Sequence, residues 1–228
     1  MGEDLSKGPA ISTPIKFCAE TLSGFRTLDV QTDRLLSSWL RETGVPEGAL
    51  KVNEPAPDFL LPEANGRLVS SLELRQTAPL IVAFVYGTWS PWCAAGLCAL
   101  HQATPNIRAA GARAIVITPD SGDWPRNFKR DHRLNLEILS DLDLGVSLSF
   151  GLVSVVPEAI KSRLLWRGLD LSAPPGSTFW MLPMPATYVV DQRGIIRRAC
   201  VGPDSITGVT TDTVLAALSE LDGGKPLA

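Results

Sequence analysis

Between Tyr86 and Cys98 the chain reads Tyr86-Gly87-Thr88-Trp89-Ser90-Pro91-Trp92-Cys93-Ala94-Ala95-Gly96-Leu97-Cys98, where a thiol, a hydroxyl and three large aromatic rings crowd together. Ser90 is a good helix N-cap and Pro91 suits the first helical position, so Cys93 falls in the first turn of the helix that follows. Unpaired amide N–H groups and the positive end of the helix dipole meet there, and both favour a thiolate over a thiol. A pKa below the free value of about 8.5 is therefore expected for Cys93. The other reading of a lone cysteine is a small buried filler, but strand, tight loop, cap and helix start in this order favour a reactive group.

The remaining candidates carry less. Cys98, beside Leu97 and Leu100, suits a core cysteine on the buried helix face, and Cys18 and Cys200 read as structural. His101 and His132 read as solvated surface histidines. No His or Asp/Glu cluster has metal-ligand spacing and no glycine-rich phosphate loop is present, so neither metal nor cofactor is expected.

An ordered scaffold must hold this loop. Pro79 to Tyr86, PLIVAFVY, is a continuous apolar run of strand length that reads as a central strand buried on both faces. Ahead of it, Phe59 to Val69 carries Asn65-Gly66 between apolar stretches, the signature of a hairpin. A helix from about Pro91 to Ala110 follows, then a strand at Ala112 to Thr118, a helix from about Asp123 to His132, a short strand near Leu136 to Leu139 and a helix near Leu142 to Phe150. Val155 to Trp180 reads as an insertion with one amphipathic helix and a Pro174-Pro175-Gly176 break. Strands at Ala186 to Val190 and Ile195 to Val201 flank the turn Asp191-Gln192-Arg193-Gly194, and a helix from about Thr211 to Leu221 closes the chain. Alternating strands and helices imply an α/β fold with a partly parallel sheet.

At the other end, Thr13 to Glu42 carries Ile15, Phe17, Leu22, Phe25, Leu28, Leu35, Leu36, Trp39 and Leu40 at roughly helical spacing, interrupted by Gly24. This predicts a helical extension over 1–50, stopped by Thr43-Gly44-Val45-Pro46, ahead of a main domain over 51–228. Its apolar stripe should be covered, either by the main domain or by a second subunit in a homodimer.

Composition bounds the function. The 228 residues are 45% hydrophobic, enough for one good core, and carry a formal net charge of −3, which argues against nucleic acid as a partner. There is no apolar run long enough to span a membrane, and the start MGEDLSKGPA is acidic where a secretory signal would be basic, so a cytoplasmic location is expected. Met1-Gly2 with Ser6 fits the loose myristoylation pattern, but Glu3 and Asp4 follow directly and no anchor is expected. Four cysteines at irregular spacing are too few for a disulfide framework.

From Leu50 onward the chain resembles the alkyl hydroperoxide reductase and thiol-specific antioxidant superfamily, most of all its peroxiredoxin-like branch. Three stretches carry the resemblance: Ala49-Leu50-Lys51-Val52 leading to Ala56-Pro57-Asp58-Phe59, the loop Trp89-Ser90-Pro91-Trp92-Cys93, and Pro185-Ala186-Thr187-Tyr188-Val189-Val190-Asp191. It implies a thioredoxin-like three-layer α/β/α sandwich with a mixed central sheet. It also implies a thiol peroxidase in which Cys93 attacks a hydroperoxide, Ser90 hydrogen-bonds it, and Tyr86, Trp89, Trp92 and Pro185 shape the pocket. A thioredoxin-like or small-thiol reductant would close the cycle.

The sequence departs from the family pattern twice. Tyr86 stands where a proline is usual, and Pro185 stands where an arginine is usual, so the charge developing on the peroxide oxygen would have to be stabilised by helix N–H groups, by Ser90, or by an arginine from elsewhere such as Arg163 or Arg197. Pro185 instead resembles the proline that faces the active cysteine in thioredoxins. Ser90 occupies the first position of the branch's Cys-Pro-aromatic-Cys motif, which excludes exchange through a CxxC pair.

Cys98, five residues after Cys93, resembles the resolving cysteine of the bacterioferritin-comigratory type, and the core reading stands beside it. On a regular helix these two Cα atoms are roughly 8 to 9 Å apart, beyond the reach of about 7 Å for a disulfide. Both are therefore expected as free thiols in the reduced protein, and a bond between them requires the first turns to unwind around Gly96. Two further readings compete with a peroxidase. One is a redox sensor or catalytically weak member, and the other is a ligand-binding or interaction protein with Trp166, Phe179 and Trp180 forming a pocket beside the cysteine.

Overall fold

The computed structural model describes residues 30–120, 123–171, 180–205 and 216. Within these, α1 (Val30–Arg41) and the single turn α2 (Val45–Gly48) precede a hairpin of β1 (Leu60–Pro62) and β2 (Leu68–Ser70). Then come α3 (Ser71–Thr77), β3 (Leu80–Phe84), α4 (Pro91–Ala109), β4 (Arg113–Thr118), α5 (Trp124–Asp131), β5 (Glu137–Ser140) and α6 (Gly145–Ser149). The order continues with β6 (Val153–Val155), α7 (Glu158–Trp166), β7 (Met181–Pro183), β8 (Ala186–Val190) and β9 (Ile196–Val201).

The central sheet has the order β5-β4-β3-β8-β9. β3 runs parallel to β4 and antiparallel to β8, which explains the continuous apolar character of its residues: every one of Leu80 to Phe84 is buried on both faces. The register Phe84↔Ala186 and Leu80↔Val190 sets the polarity of the sheet. The loop after β3 and the start of β8, with buried Pro185 just before it, lie at one end, and the Asp191–Gly194 turn lies at the other.

The Asn65-Gly66 turn forms as expected, with Leu61 opposite Val69 and Gly66 at φ +87°. The insertion is bracketed by an antiparallel ribbon, β6 against β7, that leaves no trace in the sequence pattern. Three-residue strands so far apart in sequence leave no periodicity to read. The Pro174-Pro175-Gly176 break, Phe179, the first part of the N-terminal extension and the closing helix expected at Thr211 to Leu221 lie outside the described residues, apart from Ala216.

The described part of the extension packs on the main domain. Leu36 and Leu40 of α1 are fully buried in the shared core, and α1 lies against α4 and α7. The linker is also tied in, since the Leu50 N–H donates to the Phe150 carbonyl. Gly151, at φ +70°, must be glycine because a Cβ there would collide with the Gly48 carbonyl. No helix among the described residues is long and apolar enough to cross a membrane.

Candidate active site

The loop from Tyr86 to Ser90 forms where a buried strand must turn into a helix. Gly87 allows the turn: a Cβ on it would drive into the Trp89 indole, which is itself buried and packed on the Tyr86 ring at 5.6 Å between centroids. Gly87→Ala is therefore expected to destabilise the protein by about 1–3 kcal/mol through overpacking. A denaturant midpoint indistinguishable from wild type would contradict this.

Ser90 caps α4 as expected, in extended backbone, with its Oγ accepting from the Cys93 N–H at 3.1 Å, and Pro91 opens the helix. Thr88 is clamped from the neighbouring strand. Its backbone N–H and its hydroxyl both donate to Asp120 Oδ2 at 2.6 Å. Burial pushes the Asp120 carboxyl up, while the Thr88 hydrogen bonds pull it down.

The least expected group is Asp33. From α1 its carboxylate reaches the start of α4, where Oδ1 accepts from the Tyr86 hydroxyl at 2.9 Å and from the Ser90 hydroxyl at 2.8 Å. Oδ2 accepts from the Trp92 backbone N–H at 3.1 Å. A buried carboxylate is tolerated only with such partners, and three donors at the positive end of a helix supply them. Asp33 shares the helical stripe of Leu36 and Leu40, so an acidic residue on an apolar face was the available signal. Asp120 had a weaker one, its place just beyond the end of a central strand.

Around Cys93 these groups act in opposite directions. Its side chain is fully buried, and burial, with the Asp33 charge second, pushes the thiol up to about 12. The Ser90 hydroxyl and the backbone N–H groups of Tyr86 and Gly87 pull it down, but less. The expectation of a lowered pKa is corrected: helix position favours the thiolate, and desolvation plus a facing carboxylate outweigh it. Burial also raises the Tyr86 hydroxyl well above its usual value, with the charges of Cys93 and Asp33 adding to the effect.

A folded-state thiol pKa above the unfolded one contributes stability below the unfolded value, and that contribution is lost as pH rises towards about 12. Stability should fall from about pH 9 upward by as much as roughly 1.4 kcal/mol per pH unit, and less steeply in Cys93→Ala. Urea midpoints across that range check this, and equal slopes for the two proteins would contradict it.

Several other expectations change. Cys98 is disulfide-bonded and not a free thiol, while Cys93 and Cys200 are free; Cys18 lies outside the described residues. Cys200 is half-buried on β9, opposite Thr187. Arg197 is held by Asp191 at 2.7 Å at the far end of the sheet, so it is remote from Cys93. Arg163 comes nearer, with its Nε–H donating at 3.2 Å to Thr32 Oγ1, next to Asp33.

Trp166 is 78% exposed and stacked under Arg167, whereas Trp180 is buried, so these two do not share a pocket. Neither histidine is freely solvated: His101 Nδ1 accepts from the Asn135 N–H, and half-buried His132 packs on Phe128. Trp92 is half-buried, and its indole N–H donates to the Pro203 carbonyl at 3.0 Å. Among the described residues no group of three His, Cys, Asp or Glu could hold a metal ion.

The model of the AhpC/TSA family matches residues 52–199. Peroxiredoxin Q, chloroplastic, of Oryza sativa subsp. japonica is 28% identical over 150 residues, 66% of this chain and 58% of the relative. Peroxiredoxin Bcp of Escherichia coli (strain K12) is 29% identical over 102 residues, 45% of this chain and 65% of the relative. The chain thus spans about 58% of the length of the rice relative. Peroxidoxin BcpB from Mycobacterium tuberculosis superposes with a TM-score of 0.61 at 19% identity, covering 75% of this chain and 98% of that one. Xanthomonas campestris Peroxiredoxin Q gives 0.55 at 18% identity, covering 71% and 90%. These likenesses show the thioredoxin-like fold, with its mixed central sheet flanked by helices.

Proposed function

Because the chain belongs to the AhpC/TSA family, we propose that it is a thiol-dependent peroxidase that reduces hydroperoxides through Cys93. The observation that carries this reading is the first turn of α4. There the thiol sits beside the backbone N–H groups of Tyr86 and Gly87, the Ser90 hydroxyl and the Trp92 N–H, donors suited to charge developing on a peroxide oxygen. In the reaction the Cys93 thiolate attacks the terminal oxygen of the hydroperoxide. The S–O bond forms as the O–O bond breaks, sulfur gives up two electrons, and the departing alkoxide or hydroxide takes a proton. A thiol then condenses with the sulfenic acid, releasing water and leaving a disulfide, and a second thiol reduces it.

Cys98 serves as the resolving thiol only after its own disulfide has been reduced, so the reductant, thioredoxin-like or a small thiol, acts before the first turnover as well as after it. Hydroperoxide consumption by the reduced protein, followed in a thioredoxin-coupled assay, tests the reading. Consumption no faster than the uncatalysed background would overturn it.

The full burial of Cys93 favours a second reading, an oxidant sensor with slow turnover. Under that reading a single equivalent of peroxide oxidises Cys93, but steady-state consumption stays near background.

A further inference from the structure

We propose that Asp33 is an internal occupant of the hydroperoxide subsite, so that α1 works as a displaceable plug over Cys93. This deepens the peroxidase reading and rests on Cys93 being the reacting thiol. Substrate and carboxylate compete for the same donors. A hydroperoxide approaching Cys93 needs hydrogen bonds to the oxygen that becomes anionic, and beyond the backbone N–H groups of Tyr86 and Gly87, which already serve the thiol, the donors at the head of α4 are the Ser90 hydroxyl, the Tyr86 hydroxyl and the Trp92 N–H. All three are already given to the two oxygens of one carboxylate. Ser90 has a single proton to donate, and with that proton on Asp33 Oδ1 and its lone pair on the Cys93 N–H, the role expected of it toward a peroxide is taken.

The carboxylate also disfavours a second anion. It places a negative charge where the reaction would develop another, and like charges this close disfavour each other. Asp33 therefore mimics the anionic product of the O–O cleavage, and substrate and plug exclude one another.

The attachment of the plug is graded. The inner side of α1, Leu36 and Leu40, is buried in the core, whereas its C-terminal end is fixed at the surface by Arg41, whose guanidinium donates to both oxygens of Asp204 at 2.8 and 2.7 Å. Asp204 directly follows Pro203, whose carbonyl accepts from the Trp92 indole. The surface latch and the aromatic flank of the cysteine thus share one turn, and a change at either reaches the other.

The test reads accessibility of Cys93, not peroxide turnover. In the full chain with Cys200→Ser, the rate of iodoacetamide modification of Cys93 is followed by peptide mapping for the parent, Asp33→Ala and Arg41→Ala. Asp33→Ala is expected to raise the rate at least about tenfold, since each unit of lowered thiol pKa raises the thiolate fraction about tenfold. Arg41→Ala, an exposed change that leaves the core intact, is expected to raise it by up to about fivefold. Acetate added to Asp33→Ala refills the vacated carboxylate position and slows modification again, with no effect on the parent.

No rise in either variant would overturn the proposal. So would a rise in Asp33→Ala that acetate leaves untouched, because that would be general loosening of α1. The result also separates the two readings. Faster, acetate-sensitive modification with no hydroperoxide consumption keeps the plug and removes the peroxidase, whereas consumption by the parent with no rise in the variants does the reverse.

Discussion

Cys93→Ser is expected to lower hydroperoxide consumption by at least about 10³-fold, to background, while Cys200→Ser keeps the parent rate. Serine keeps the volume and hydrogen-bonding capacity of the site, and Ser90 still caps α4 through the backbone N–H of residue 93, so the fold should be intact. What is lost is the polarisable sulfur nucleophile, which a far less acidic hydroxyl cannot replace. Cys200 is a half-buried thiol on β9, opposite Thr187 and away from the head of α4 in sequence, and serine replaces it with little change in size. Equal loss in both variants would assign the chemistry elsewhere. Consumption surviving in Cys93→Ser would do the same.

The second large effect is expected from Leu36→Ala. Leu36 is fully buried where α1 meets the main domain, and truncating it removes apolar contacts and leaves a cavity, at a cost of about 2–5 kcal/mol. For a chain of this size that lowers the melting temperature by roughly 5–15 °C. Leu36 lies one helical turn after Asp33, so the same change loosens the carboxylate and should speed modification of Cys93. Leu35→Ala, on the exposed side of the same helix, is the control and should stay within about 0.5 kcal/mol of wild type. If the two variants melted together, α1 would not be part of the core.

These two cases mark what the sequence makes legible. The cap on α4 could be read because it is local: Ser90, Pro91 and Cys93 lie within one turn, and their roles follow from residue type and spacing. The central strands could be read because burial on both faces enforces continuous apolar runs such as Leu80 to Phe84. The environment of Cys93 could not be read, because the full burial of the thiol, and after it the charge of Asp33, 57 residues before Ser90, both arise from tertiary packing. Only the tertiary packing of α1 against α4 brings Asp33 to the thiol. Of the substitutes for the missing arginine, Ser90 and a helix N–H are at the site, but they are engaged by a carboxylate, while Arg197 is remote. Trp166 and Trp180 share no pocket for a related reason. Helical phase within the insertion leaves Trp166 outward, while the β7 ribbon carries Trp180 inward.

Tyr86 illustrates how a departure from a family pattern can be read too narrowly. Taken as a lost proline, it reads as a weakness of the site. In the structure its ring fills the core beside Trp89, and its hydroxyl is one of the three donors to Asp33. Tyr86 and Asp33 thus depend on one another: without the carboxylate the buried phenol loses that acceptor, and without the phenol the carboxylate loses a donor.

The most direct measurement is peptide mapping of the reduced protein after one equivalent of hydroperoxide in the presence of a sulfenic-acid trap. The account predicts a single trapped adduct on the peptide carrying Cys93, formed faster in Asp33→Ala than in the parent and absent from Cys93→Ser. An adduct on Cys200 or Cys98 with Cys93 unmodified in both proteins would contradict it.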